Sequence, residues 1–293
     1  MPASRILIQT TIPHLEDDWH VARFSRLTDY LRGLKGEDGQ TLFEVTARNR
    51  EAAPGAPDPV LSKMDAAAFD QLWLFAVDVG DGLTAEECAA ISRFRMAGGG
   101  LMVTRDHQDL GSSVCTLGGV GKAHFFHSKN PDPDPARHRI DDTGAPDISW
   151  PNYHSGDNGD FQEIAVVGEV HTLLSDGAGG ALAFLPAHPH EGAVGAPADE
   201  PTARVIATGV SQTTGVRFNI AVAFEPGADG AGPAVAQSTF HHFADYNWNP
   251  GLGCPSFVSE TPTDRILTDP RGLASTHRYV RNLATWLGGG RVS

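Results

Sequence analysis

Histidine beside carboxylate recurs in this 293-residue chain wherever a strand-like run has just ended. His14, Glu16, Asp17 and His20 follow the first run, and Asp106, His107 and Asp109 follow a glycine-rich one. His188-Pro189-His190-Glu191 and then His241, His242 and Asp245 follow two more. Imidazole and carboxylate are the side chains of zinc, iron and manganese centres and of general acid–base catalysis. In a doubly wound sheet, ligands bind outside the carboxyl ends of the strands. A pocket there is expected to hold a divalent metal (Zn, Fe or Mn) through His107, His188, His190, His242 and Asp245. A metal lowers the pKa of bound water toward about 7 and so supplies a nucleophile. The expected catalytic set is Asp106, His107, Glu191 and His242, with Asp106 or Glu191 as base. Arg105, His154, Tyr246 and Trp248 are expected to bind substrate.

Each of these residues also has a plainer explanation. Asp106 can cap a helix and leave His107 on the surface. His188 and His190 fall on one side of an extended segment, because side chains alternate with period two, yet Pro189 equally suits a stiff surface loop. By the same alternation His241 and His242 point apart, so one of them at most faces a common pocket. His124 and His127 can share a helical face, or pack through Phe125 and Phe126. His154 lies in turn-forming sequence that suits either a substrate-covering loop or an ordinary turn. Tyr246 and Trp248 can line a pocket or fill the core. Asp132, Asp134, Asp141 and Asp142 lack EF-hand spacing and read as a solvated loop. Gly118-Gly119-Val120-Gly121-Lys122 runs into Ala123 and is no phosphate loop. No Gly-x-Ser-x-Gly elbow is present. No nucleotide cofactor is expected.

Composition narrows the class. Formal charge is −14, without basic clusters, which argues against nucleic acid as a partner. No apolar run approaches the roughly 18 residues of a membrane span, and no signal-peptide core opens the chain. Three scattered cysteines (Cys88, Cys115, Cys254) make neither a disulfide framework nor a thiolate zinc site. A cytoplasmic protein acting on a small molecule is the expectation. Homo-oligomerisation stays open.

The elements that must position these residues are legible from periodicity. Arg5–Thr11, Thr41–Ala47, Gln71–Val77 and Leu101–Thr104 read as strands. The third, apolar without alternation, reads as buried on both faces. Trp19 to Leu34 carries helical spacing, with its start at Glu16–Asp18. Thr84 and Glu87 form a capping box ahead of a stripe of Ala89, Ile91, Phe94 and Met96, and Gly98–Gly100 stops that helix. Strand-like runs resume at Glu163–Val167, Ala181–Leu185, Arg204–Thr208, Arg217–Phe224 and Ala234–Thr239. Leu273–Leu287 reads as a closing amphipathic helix. Alternating strands and helices predict an α/β fold whose mostly parallel sheet is covered on both faces. One domain over residues 1–293 is expected, with residues 108–165 as a loop-rich insertion covering the site.

Phe69-Asp70-Gln71-Leu72-Trp73, Leu83-Thr84-Ala85-Glu86-Glu87 and Gly98–Val103 resemble the framework of the class I glutamine amidotransferase-like superfamily, in its ThuA-like (trehalose utilisation) branch. Val170–Leu174, and Phe218–Phe224 with Ala234–His242, add to the resemblance. It implies a flavodoxin-like three-layer sandwich with long loop insertions. It also favours His242 over His241, by place in the closing turn. The superfamily's cysteine nucleophile is missing: its turn here reads Thr104-Arg105-Asp106-His107-Gln108, and Cys115 lies well beyond it. Two functions therefore stand side by side. One is a metal-dependent hydrolase of a small polar, carbohydrate-like compound. The other is a metal-free ThuA-like protein that binds or modifies a sugar. A module with no chemistry has less need of histidine at several strand ends.

Overall fold

Buried apolar runs build the centre of the molecule. In a computed structural model describing residues 2–53 and 55–290, strands β1 (Ser4–Thr10), β2 (Phe43–Arg48), β3 (Gln71–Phe75) and β4 (Gly100–Thr104) come first. The side chains of Cys115 and Thr116, and so the question raised by Cys115, lie outside the described residues. Every residue of β3 and β4 is buried, as an interior strand with both faces covered requires. Alternation then sends neighbouring side chains to opposite layers. Ile6, Ile8, Trp73, Phe75 and Met102 join one core, under α1 (Ser25–Gly33) and α6 (Pro270–Leu287), with Leu27, Leu31, Val280 and Leu283. Leu7, Leu72, Leu74, Leu101 and Val103 join the other, under α2 (Ala85–Met96), with Ile91 and Phe94. The result is a three-layer α/β sandwich.

Five short strands follow β4 in the chain: β5 (His124–Phe125), β6 (Phe161–Glu163), β7 (Ala165–Val166), β8 (Phe184–Pro186) and β9 (Ala193–Val194). Longer ones are β10 (Ala203–Val210), β11 (Arg217–Phe224) and the final β12 (Ala234–Gln237). The main sheet runs β2-β1-β3-β4-β12-β11-β10-β7. From β2 to β12 the pairings are parallel, in the flavodoxin-like order with its switch point between β1 and β3. From β12 to β7 they are antiparallel, so the sheet is mixed, with four of its seven pairings among the described residues parallel. Short connections such as the one from β10 to β11 can only return the chain antiparallel.

The capping box at Thr84 and Glu87 forms, but the α2 core stripe is Cys88, Ala90, Ile91 and Phe94, leaving Met96 exposed. The first helix starts later than its spacing suggests, at Ser25 after a 3-10 turn, Val21–Phe24. Its free N–H groups meet a carboxylate from the far end of the chain. Asp245 Oδ2 accepts from Ser25 N at 3.1 Å and from Ser25 Oγ at 2.6 Å, and Oδ1 accepts from Arg26 N at 2.8 Å. The strand expected at Ala181–Leu185 is short, begins at Phe184 and pairs with β6 in a separate two-stranded sheet. His124 and His127 do not share a helical face, because His124 lies in β5 and pairs with β9. Among the described residues no helix is long and apolar enough to cross a membrane.

Candidate functional site

A cavity of about 420 Å³ opens at the carboxyl ends of β1, β3, β4 and β12, next to the switch point. Asp18 and Trp19 come to it from after β1, Val77 and Val79 from after β3, Asp106 and His107 from after β4, and Phe240 and His241 from after β12. His188 and His190 reach it from the turn after β8, in the side sheet rather than at a main-sheet strand end. From residues 108–165, Leu110 and Ile148 contribute to the wall.

The turn after β4 is built to aim Asp106 and His107 inward. No helix begins at Asp106, so it is not a cap; the next helical turn is Ser112–Thr116. Gln108 sits at φ 50°, a left-handed conformation costing roughly 1 kcal/mol or more for a non-glycine residue. Arg105 braces the turn from behind. Its guanidinium donates to the carbonyls of Gln108 (2.5 Å), Ala193 (3.3 Å) and Phe125, and lies 4.0 Å from the centre of the Phe126 ring. Arg105 is fully buried and does not line the cavity, so the expectation that it binds substrate is corrected. The backbone passes so closely here that a Cβ on Gly192 would lie 2.5 Å from the Asp106 carbonyl oxygen.

Three imidazoles surround the Asp106 carboxylate. His107 Nδ1 lies 3.2 Å from Oδ2, His188 Nε2 3.4 Å from Oδ1, and His241 Nε2 3.7 Å from Oδ2. The rings of His188 and His241 stack with centroids 3.5 Å apart and planes 11° from parallel. Thr239 Oγ1 donates to Asp106 Oδ1 at 3.1 Å. The ligand atoms of Asp106, His107 and His188 all lie within 4.8 Å of one another.

The tautomers of the stacked pair follow from one backbone carbonyl. Ala187 O can only accept, so the group 3.0 Å from it is the amide nitrogen of Asn247. The same Nδ2 donates to Asn158 Oδ1 at 2.8 Å. Asn247 Oδ1 must then accept from His241 Nδ1–H (2.9 Å), and Asn158 Oδ1 from His188 Nδ1–H (3.0 Å). Both Nε2 atoms are left as bare lone pairs aimed at a carboxylate. Two acceptors facing each other repel unless a cation or a proton lies between them. His107 Nδ1 and His188 Nε2 are buried without a hydrogen bond, and 3.4–3.7 Å exceeds the N–H···O range. With ligand bonds of roughly 2.0–2.1 Å, tetrahedral ligand atoms stand about 3.3 Å apart, close to these spacings.

Electrostatics agree with that ligand state. Burial alone pushes the Asp106 carboxyl up, but the His107 and His188 imidazoles outweigh it and hold the group well below its ordinary range. Burial pulls His188 down to about 4 and His241 far below its ordinary value, the second helped by His188 beside it. At neutral pH this leaves an ionised Asp106 carboxylate and neutral imidazoles at His188 and His241, the forms that bind metal.

Other expected site residues lie elsewhere. His190 lines the cavity, but both its nitrogens face acceptors: Asn152 Oδ1 at 2.9 Å and Glu260 Oε1 at 2.8 Å. It therefore has no lone pair free for a metal, correcting its place among the ligands. The His190 hydrogen bond, against the cost of burial, holds Glu260 down to about 2. His241 and His242 point apart, though they lie in a turn beyond β12 rather than in an extended segment, and the choice between them reverses, since His241 faces the cavity. His242 is fully buried and turns to Glu191, with Nε2 3.5 Å from Oε2. Glu191 is equally buried and accepts from Ser155 Oγ (2.5 Å), Ser238 Oγ (2.7 Å) and Gln162 Nε2. It pins the His188–His190 turn from beneath and does not line the cavity, so it is not placed to act as base on a substrate there. Asp245 is the distant cap of α1 and not a ligand. Trp248 donates to the His242 carbonyl at 2.9 Å, and Tyr246 is buried. His154 faces Asp142 at 3.7 Å, outside the cavity wall. Sequence reasoning missed Asn158 and Asn247 as orienting groups, and Trp19, Phe257 and Glu260 as wall. Asparagine and an aromatic in a helical pattern carry no distinguishing signal in one sequence.

No protein-family model matches the chain, and no curated protein matches it. Among solved structures, a ThuA-like protein from Parabacteroides merdae aligns with 100% of this chain and 92% of its own, at 11% identity and a TM-score of 0.50. A ThuA-like protein from Bacteroides uniformis aligns with 99% of this chain and 95% of its own, at 11% identity and a TM-score of 0.47. The glutaminase domain of Trypanosoma brucei CTPS with bound acivicin aligns with 96% of this chain and 94% of its own, at 14% identity and a TM-score of 0.49. At 11% identity the first of these likenesses is one of fold: this chain has the α/β architecture of the ThuA-like proteins.

Proposed function

We propose that Asp106, His107, His188 and His241 hold a divalent metal ion, and that the cavity above them is the active site of a metal-dependent hydrolase acting on a small polar, carbohydrate-like substrate. One observation carries this reading: two stacked imidazoles, their tautomers fixed by Asn158 and Asn247, direct bare Nε2 atoms at a buried carboxylate. A bound metal there would polarise a substrate oxygen or activate water. The chain's own contribution is to orient the ligands through the two asparagines, as metal sites do when histidine donates its second N–H to a carbonyl. His190 stands at the cavity wall with its ring centroid 5.4 Å from that of His107 and 5.7 Å from that of His188. Its two nitrogens are held by Asn152 and Glu260, so it meets a bound molecule with the face or edge of its ring.

The test is direct. Purified protein is equilibrated in turn with zinc, manganese and ferrous ion, gel-filtered and assayed by mass spectrometry for metal. About one ion per chain, lost in His188→Ala and in Asp106→Ala, is expected. No retained metal in the folded wild type overturns the reading. A metal-free sugar-binding protein is the second reading, favoured by the ThuA-like fold and by a proton's ability to bridge an imidazole and Asp106. It predicts ligand binding that is indifferent to chelator.

A further inference from the structure

The cavity that holds the metal-ligand group has a second, unlike wall. Trp19, Val77, Leu110, Ile148 and Phe240 present apolar surface to it, and Val79 and Phe257 stand at its edge. Among the described large apolar side chains, Val79 (75% exposed) and Phe257 (60%) are the two most exposed. Both belong to this one cavity. Apolar surface left in water around a concave polar site is a mark of ligand contact. Charge narrows the ligand further. The charged side chains at the wall are the carboxylates Asp18, Asp106 and Glu260, and neither lysine nor arginine is among its described residues. Glu260 is hydrogen-bonded to His190, and a bound metal would offset Asp106. Asp18 accepts from the Trp19 N–H at 2.7 Å through one oxygen. A phosphate or carboxylate away from the metal would find no counter-ion and would meet Asp18.

We infer that the site selects an uncharged molecule whose reacting end lies at the Asp106–His188 group and whose other end is an apolar group resting on Trp19, Phe240, Val79 and Phe257, and that it rejects substrates carrying phosphate or carboxylate at that end. This deepens the metal-site reading and rests on it for the placement of the reacting end. The apolar and acidic character of the wall is independent of it.

Three small probes separate the two. Imidazole, 1-phenylimidazole and imidazol-1-ylacetate share a metal-binding nitrogen, N3, and differ in the group on N1, which points away from the metal and cannot chelate it. Each is titrated into cobalt-loaded protein and followed by the visible absorption of the metal. The phenyl compound is expected to bind about 10-fold tighter than imidazole, through burial of one ring face, and the carboxylate to bind more weakly than imidazole. Phe257→Ser and Val79→Ser, at exposed positions that should not disturb folding, are expected to erase the phenyl advantage and leave imidazole within about two-fold. Carboxylate binding as tight as phenyl binding, or a phenyl advantage that survives both substitutions, overturns the inference. If cobalt does not load, the metal reading has failed by itself. The same probes read by ligand-observed NMR on metal-free protein then decide the substrate class by the same order of binding.

Discussion

Removing the Asn158 side chain is the sharpest test of how the site is held. Its Oδ1 accepts from His188 Nδ1–H at 3.0 Å and from Asn247 Nδ2 at 2.8 Å. Its own Nδ2 has no partner, so that group is lost at no cost. In Asn158→Ala, Asn247 Nδ2 keeps one N–H on Ala187 O, and two donors are stranded, its other N–H and His188 Nδ1–H. A buried unsatisfied N–H costs roughly 1–3 kcal/mol. The ring can avoid that by moving its proton to Nε2, which removes the lone pair facing Asp106. Loss of such an orienting partner lowers metal affinity about 10–100-fold, or about 1.4–2.7 kcal/mol. The assay is competition for cobalt or zinc against a chelator of known affinity, beside urea unfolding without metal. Asn158→Asp, which still accepts from both donors and makes the imidazole more basic, should bind metal at least as tightly as wild type. If Asn158→Ala binds metal like wild type while His188→Ala does not bind it, the tautomer reasoning is wrong.

Further outcomes follow from other parts of the structure. Asp245→Ala should lower stability by about 0.5–2 kcal/mol, the worth of a helix cap, with metal content unchanged; a loss of metal in the folded variant would return Asp245 to the ligand set. Gly192→Ala forces a methyl against the Asp106 carbonyl and the Arg105 guanidinium at 2.5 and 2.6 Å; urea unfolding should show a loss of about 1–3 kcal/mol, and an unchanged midpoint would refute that close approach. His124 is fully buried with neither ring nitrogen hydrogen-bonded, and burial, with the Arg105 charge, pulls it down to about 3. Its unfolded form takes up a proton near pH 6.5 and its folded form only near 3, so its contribution is complete above about 6.5 and is lost as pH falls between the two. His124→Phe should therefore remove about 2 kcal/mol of the stability lost between pH 7 and pH 5 in urea titrations, and an unchanged loss would refute that assignment.

The framework was legible because its signals are local. The unalternated run at Gln71–Phe75, the capping box at Thr84 and Glu87, and Gly98–Gly100 each state their structure within a few residues. The late start of the first helix was not, since its cap is a carboxylate some 220 residues away in the chain. The resemblance implied the antiparallel pair of β11 and β12 as a closing hairpin, whereas the antiparallel pairing of β10 with β7 was hidden, because a buried strand looks alike in either direction. The strand-end rule pointed to Asp106 and His107, which line the cavity, and His188 joins them from the side sheet. The resemblance favoured His242, whereas His241 lines the cavity, because a sequence pattern can show that two neighbours diverge and not which one faces the pocket. Glu191 and His190 were misread for a related reason. A histidine beside a glutamate in sequence looks the same whether the pair faces substrate or is consumed by buried serines and asparagines.

The four residues around the proposed metal come from two separate sheets. Asp106, His107 and His241 follow strands of the main sheet, whereas His188 follows a strand of three residues paired with another of three. Asp106 and His188 stand 82 positions apart in the chain (188 − 106). A metal joining them would act as a latch on the small sheet as well as a chemical centre, stabilising the closed form by mass action, about 2.7 kcal/mol at a hundred times the dissociation constant. Chelator should then loosen that sheet before it melts the rest, and hydrogen exchange should quicken around residues 184–191 while β3 and β4 stay protected. Metal supply would in that case govern how long the protein survives proteases as well as whether it is active.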